Sequence, residues 1–328
     1  MPDQLTNIAD AARREIRRQE GRAAAQLAGA YAQVWERIQR DLRNVTAQIA
    51  NARRRGIEVN ESWLVQNVRL DALSRQIELA MAGFDIVVNA RVRQMQAEAL
   101  EIKKASAQAT MRIVRPEFWF FPDSVMRELV GFLADGSPVN SIINLREIQT
   151  GSKIRDTLIK GVGLGWSPRR MEREARQTAG QVLSHVLRIH RTESLRAFRE
   201  AGYLARNDRP DIYRGWVWLS AADSRTCPSC WAMHGTIHRN NARLDDHPNG
   251  RCTARDLIRG FPNPDIKTGE ELFKKLSLEE QGQVLSPAKL EAYRAGEITL
   301  GDLVHRRRSR AFGTTRREAS LGRALQAS

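Results

Sequence analysis

Residues 31–52 read YAQVWERIQRDLRNVTAQIANA, and their spacing decides the fold class. Tyr31, Trp35, Ile38, Leu42, Val45, Ile49 and Ala52 step by four, three, four, three, four and three. That is the narrow apolar stripe of a helix lying lengthwise on another helix; the Arg, Gln, Asp and Asn between form its wet face. Working outward, no proline falls between Pro2 and Pro116, so nothing in that stretch must break a helix. Gly56 is a natural stop and Asn60 a natural cap for a second helix. On that helix Leu64, Val68, Leu73, Ile77, Met81 and Phe84 continue the helical period towards Ile113. Residues 1–115 are therefore expected to form a long-helix hairpin or arm. Two packings remain open, a bundle within the chain and an arm that reaches a neighbouring subunit.

Composition changes at Pro116. The run Glu117-Phe118-Trp119-Phe120-Phe121-Pro122 is too short to span a bilayer and reads as a core or interface plug. A short helix is expected from Asp123 or Ser124, ending near Asp135-Gly136-Ser137-Pro138. Ser167-Pro168 has the form of an N-cap followed by a first helical proline. The helix it opens carries Met171, Ala175, Ala179, Val182 and Val186, and is expected to run through Ile189 towards Ala201. Residues 116–205 thus read as a central helical domain.

The chain has 328 residues, 41% of them hydrophobic and 28% charged, which suits a globular protein with a sizeable core. No apolar run reaches the roughly 20 residues of a membrane helix, and the N-terminal stretch lacks the apolar core of a signal peptide. A reducing cytoplasm is the expected place of synthesis and residence, and no membrane partner is expected. The net charge is +15, and 45 of the 53 basic residues are Arg. Such a balance implies a polyanionic neighbour, nucleic acid or acidic protein surface, unless it reflects codon usage alone.

Three cysteines are too few for a disulfide framework, yet all lie within residues 227–252. Residues 206–260 read as a small Cys/His module. Tyr213 to Ser220, YRGWVWLS, alternates aromatic and branched residues with a period of two, as a strand does. Gly235-Thr236-Ile237-His238 can return as its hairpin partner. Cys227, Cys230, His247 and Cys252 make the pattern C-x2-C-x16-H-x4-C. Three thiolates and an imidazole suit tetrahedral Zn2+, and four protein ligands leave no open position, so such a site is structural. The competing reading is three reduced thiols, with His247 in an ordinary loop hydrogen bond. His234 and His238 are competing ligands. A redox role for Cys227 and Cys230 lacks the surrounding βαβ pattern. The fold class is mainly α, with long N-terminal helices plus a small α+β, zinc-knuckle-like Cys/His module.

No enzyme is expected. The sequence has no Walker-type glycine loop, nucleophile elbow or paired-carboxylate pattern. His190 and Glu193 share a helix face, but no second cluster supplies further ligands, and Glu193 is expected to pair with Arg188 or Arg196. Nuclease or ADP-ribosyl-transfer activity would be the nearest enzymatic alternatives. Residues 261–328 read as a helical segment and a basic tail, in which Arg306, Arg307, Arg308, Arg310, Arg316 and Arg317 are candidates for sequence-independent phosphate contact.

An ordered set of these residues resembles the Mu F-like phage head morphogenesis family. The set is Arg191-Thr192-Glu193, Trp218, Asp223-x-Arg225-Thr226-Cys227-Pro228-x-Cys230, Gly235 and His247-Pro248-Asn249-x-Arg251-Cys252. Phe273, Leu276, Gln281, Leu285, Tyr293, Gly296 and Leu303-Val304 are similar to a helical element that commonly follows. The resemblance implies a minor head (minor capsid) protein of the virion, present in few copies near the portal or in the capsid interior. It further implies head assembly or DNA packaging, with portal protein, major capsid protein and packaged double-stranded DNA as partners. A stand-alone zinc-dependent nucleic-acid-binding protein is the alternative. One departure stands out: members often read HPNCRC where this chain has HPNGRC, with Gly250 at the first cysteine. Either Cys252 supplies the fourth ligand, or hydrogen bonds hold the loop without metal.

Overall fold

The computed structural model describes residues 2–68, 70–114, 129–133, 136–309 and 312–327. The aromatic run at 117–122, the start of the short helix expected after it and Arg310 lie outside the described residues; that helix does not reach the expected end near Asp135, since Val130 and Gly131 form a turn with Gly131 at φ 89°. The chain is mainly helical and divides into two compact units.

One unit comprises Gly21–Gln94 and Ser137–His190. It draws on α1 (Pro2–Arg54), α2 (Glu61–Asn67), α3 (Leu70–Val114), α4 (Asn140–Gly163) and α5 (Pro168–Asp208). The stripe from Tyr31 to Ala52 is buried except for the half-buried Trp35, as are Leu64, Val68, Leu73, Ile77, Met81 and Phe84. Within the same unit Ile154 and Leu158 of α4 and Met171, Ala175 and Ala179 of α5 are buried too. The Tyr31 hydroxyl donates to the Ala179 carbonyl at 2.5 Å and its ring meets Phe84 at 5.2 Å. Arg53 closes the end of α1 by donating to the carbonyls of Trp166 and Val162. Asn60 caps α2 as expected, accepting from the Trp63 amide at 2.9 Å.

The other unit comprises Met1–Glu20, Met95–Gly136 and Arg191–Ser328. Its centre is an antiparallel sheet in the order β2 (Ile237–His238), β1 (Tyr213–Leu219), β3 (Thr253–Ile258). The β1–β2 pair matches the expected hairpin, with Trp216 opposite His238. β3 was not legible, because Arg255 and Asp256 give its sequence the look of surface. In fact Asp256 pairs with Lys103 at 2.6 Å and Arg206 at 2.8 Å, so a polar strand is buried by neutralisation. Trp216 and Trp218 pack with Cys230, Met233, Leu244 and Cys252 on one face, and Val217 and Leu219 with Leu257 on the other. Beyond the short α6 (Pro228–Met233), a satellite core gathers Trp231, Phe273, Leu285, Ile298 and Leu303. It is built from α7 (Gly269–Phe273), α8 (Leu278–Val284) and α9 (Pro287–Arg294), the first two opened by capping boxes at Thr268 and Ser277.

The C-terminal segment is not a tail. β4 (Val304–Ser309) and β5 (Gly313–Glu318) pair antiparallel, and α10 (Leu321–Ala327) follows. Val304, Thr314 and Thr315 are good strand residues, Leu303 and Ala324 anchor the ends in the satellite core, and Arg side chains project from the ribbon. Among the described residues no helix is long and apolar enough to cross a membrane.

Candidate metal centre

The site begins where β1 ends. A polar turn follows, in which the Asp223 carboxylate accepts from the Arg225 amide and the Thr226 hydroxyl. Arg251 clamps the same carboxylate with both guanidinium nitrogens, at 2.7 and 2.5 Å. Those hydrogen bonds, Arg251 foremost, hold Asp223 well below the usual carboxylate range. The turn delivers Cys227 to the N-cap of α6, with Pro228 at its first position. The amides of Cys230 and Trp231 both donate to the Cys227 carbonyl at 3.0 Å. One tight turn therefore sets both thiols on the same side.

His247 comes from the loop before β3. Its Nδ1 donates to the Pro248 carbonyl at 2.9 Å, which leaves Nε2 facing the thiols, 3.2 Å from Cys227 Sγ and 3.4 Å from Cys230 Sγ. Fixing one ring nitrogen on a carbonyl so that the other faces a ligand position is how histidine ligands are oriented. Cys227, Cys230 and His247 form one group whose ligand atoms lie within 4.8 Å of one another, and Cys230, Asp246 and Cys252 form a second. The structure thus brings all four sequence-derived residues together, in two overlapping triads that share Cys230. All three cysteines are free thiols, and the arrangement can hold a metal ion.

Asp246 escaped the sequence reading. Its side chain is fully buried and its Oδ1 accepts from the His247 amide at 2.9 Å and from the Cys230 thiol at 3.3 Å. Oδ2 accepts from the Cys252 amide at 3.1 Å and from Arg199 at 2.8 Å. Arg199, on α5, also donates to the carbonyls of Gly250 and Cys252, so one guanidinium gathers the loop. Thr192 accepts from the Asn249 amide, and Arg191 donates to the Asn249 side chain and pairs with Glu20. The only signal for Asp246 was its place immediately before His247 in the run Asp245-Asp246-His247.

Without metal, the cluster's electrostatics favour a thiolate–imidazolium pair. The interaction with Cys230 lowers Cys227 to about 4, against burial, with His247 adding to the effect. Its neighbours Cys227 and Cys252, together with burial, push Cys230 far above its ordinary range. Burial disfavours the charged His247, but Cys227 and the Asp246 carboxylate outweigh it and raise the ring to about 9. Burial pushes the Cys252 thiol up.

The competing histidines are occupied elsewhere. His234 Nδ1 accepts from the Ser220 amide at 3.1 Å, and His238 stacks on Trp216 at 4.3 Å. Glu193 pairs with Arg196 at 2.8 Å. The candidate phosphate-binding arginines sit on the hairpin. Arg307 and Arg308 are exposed with no ion-pair partner among the described residues, and Arg306 reaches Asp245 at 3.5 Å. Arg316 is taken up by Asp245 at 2.6 Å and lies over Trp218, and Arg317 is half-buried. A cleft of about 880 Å³ lies beside the hairpin, lined by Arg196, Arg199, Arg243, Arg306, Arg308 and Arg316 together with Glu200, Asp245 and Asp246.

Residues 152–258 match the family described as Phage Mu protein F like protein. The matched segment, which is similar to that family, includes the whole Cys/His cluster. No curated protein and no solved structure matches the chain.

Proposed function

We propose that this chain, Mu F-like over residues 152–258, is a minor head protein of a tailed phage that acts in head assembly and DNA packaging without catalysing a reaction. The family match over the Cys/His module carries the reading, because it coincides with the most elaborately held part of the molecule. Its partners are the portal protein and the major capsid protein, with packaged double-stranded DNA as a further contact, and its place is the virion. Two features support an assembly role. Leu79 and Ile86 are 73% and 71% exposed and a heptad apart on α3, an apolar edge of the kind that partners cover. The exposed Arg306, Arg307 and Arg308 suit a polyanion.

A structural Zn2+ fits the donor set. Cys227, Cys230 and His247 would hold it, with a fourth ligand from the second triad, which also contains the sequence-derived Cys252. Its chemistry there would be cross-linking: a fully ligated ion would tie α6 to the His247 loop.

The arginine-bearing ribbon also favours the second reading, a stand-alone nucleic-acid binder. Co-expression with portal and major capsid proteins of the same phage separates the two. A minor head protein co-purifies with one of them at physiological salt. Recovery solely as a free monomer that binds DNA supports the alternative.

A further inference from the structure

We infer that Asp246, rather than Cys252, is the fourth ligand of the metal centre, and that Gly250 is bare because the Asp246 carboxylate needs its space. The inference rests on the structural-metal reading above and sharpens it. A tetrahedral ion bound at 2.0–2.3 Å places its ligand atoms roughly 3.3–3.8 Å apart. His247 Nε2 lies 3.2 Å from Cys227 Sγ and 3.4 Å from Cys230 Sγ. Asp246 Oδ1 lies 3.3 Å from Cys230 Sγ and 3.6 Å from His247 Nε2. Those separations fall at or close to tetrahedral edges, and Oδ1 shares them with two members of the first triad. Cys252 and Asp246 both stand with Cys230 in the second group, and it is Asp246 that reaches the His247 ring, at 3.6 Å. The Cys252 side chain shares the apolar cluster of Trp216 and Trp218 with Cys230.

The carboxylate is also held as a one-oxygen ligand. Arg199 and the Cys252 amide occupy Oδ2, while Oδ1 accepts from the His247 amide and faces Cys230 Sγ and the His247 ring. Outer-shell donors of this kind orient a ligating carboxylate. Gly250 completes the arrangement: a Cβ there would lie 2.1 Å from Asp246 Oδ2 and 2.3 Å from its Cγ. Any side chain at 250 would evict the carboxylate, so a bare residue 250 and a ligating Asp246 come as a pair.

Cobalt(II) titration of the purified full chain tests this, because the sulfur-to-cobalt charge-transfer band grows with the number of bound thiolates. Wild type is expected to bind one equivalent with the intensity of two thiolates, calibrated against Cys227→Ala, which should show one. Cys252→Ser and Cys252→Ala should leave the band unchanged. Asp246→Asn should weaken cobalt and zinc binding at least tenfold to a hundredfold, with the far-ultraviolet circular dichroism unchanged. A three-thiolate band in wild type, or unchanged affinity in Asp246→Asn, overturns the inference and leaves the metal reading standing. No stoichiometric cobalt or zinc in wild type overturns both. The wild-type spectrum decides the thiolate count even where a variant fails to fold.

Discussion

Gly250 and Asp246 share one volume, and that shared volume makes the loop brittle. Gly250→Ala drives a methyl group into a buried carboxylate whose other neighbours are fixed backbone amides and Arg199. Overpacking of this kind costs about 1–3 kcal/mol, and urea denaturation should show a loss in that range. A wild-type midpoint would mean that the carboxylate lies elsewhere. Asp256 is the second sensitive residue. Its removal leaves Lys103 and Arg206 buried without their counter-charge, so Asp256→Ala should lose about 3–5 kcal/mol. The pH dependence follows with a definite sign. Burial alone would raise Asp256, but Lys103 and Arg206 pull it below the ordinary 3.8. A lowered folded-state value means that the unfolded chain takes up the proton first as pH falls. The contribution is complete well above pH 3.8 and is lost as pH falls through that value towards the folded-state one. Asp256→Asn should therefore flatten the acid limb of a stability profile, and a profile parallel to wild type would contradict the ion pair. That Cys227, Cys230, His247 and Cys252 gather in one place was legible in the sequence because their spacing is local chemistry. Asp246 and Asp256 were not, because a carboxylate's meaning depends on cations contributed from remote segments, here Arg199, Lys103 and Arg206.

At the scale of elements, the period of α1 and the Asn60 cap could be read directly, since a buried stripe and a cap leave signatures within a few residues. The break between α2 and α3 and the pairing of β3 depend on tertiary packing and leave no such signature. The C-terminal ribbon was mistaken for a tail because its arginines dominate the composition. Its strands are specified by the less conspicuous Val304, Thr314 and Thr315, and by register. That correction changes the chemistry expected of the segment. A rigid two-stranded ribbon holds Arg306 and Arg308 on one face and Arg307 on the other, with less entropy to lose on binding than a disordered tail. Each arginine that neutralises a phosphate contributes about −0.9 to the slope of log affinity against log salt. Arg307→Ala with Arg308→Ala should therefore make the slope for duplex DNA shallower by roughly 1–2, equally for unrelated sequences. An unchanged slope would remove DNA from the list of contacts and leave the ribbon to acidic protein surfaces.

At the scale of the molecule, two compact units of one chain carry different burdens. One is a helical bundle whose sequence explains its packing and which exposes Leu79 and Ile86. The other holds the sheet, the Cys/His cluster and the arginine ribbon, all within a single contact unit. A loop whose Cys and His side chains can hold a metal ion, in the same unit as a cationic ribbon, is what the proposed assembly role draws on. The most direct test of that account is quantitative mass spectrometry of DNA-filled heads purified from the phage that encodes the chain. The account predicts peptides from both units at a few copies per particle, retained after washing in high salt. Complete heads that lack the chain, formed while it accumulates in the host lysate, would contradict it.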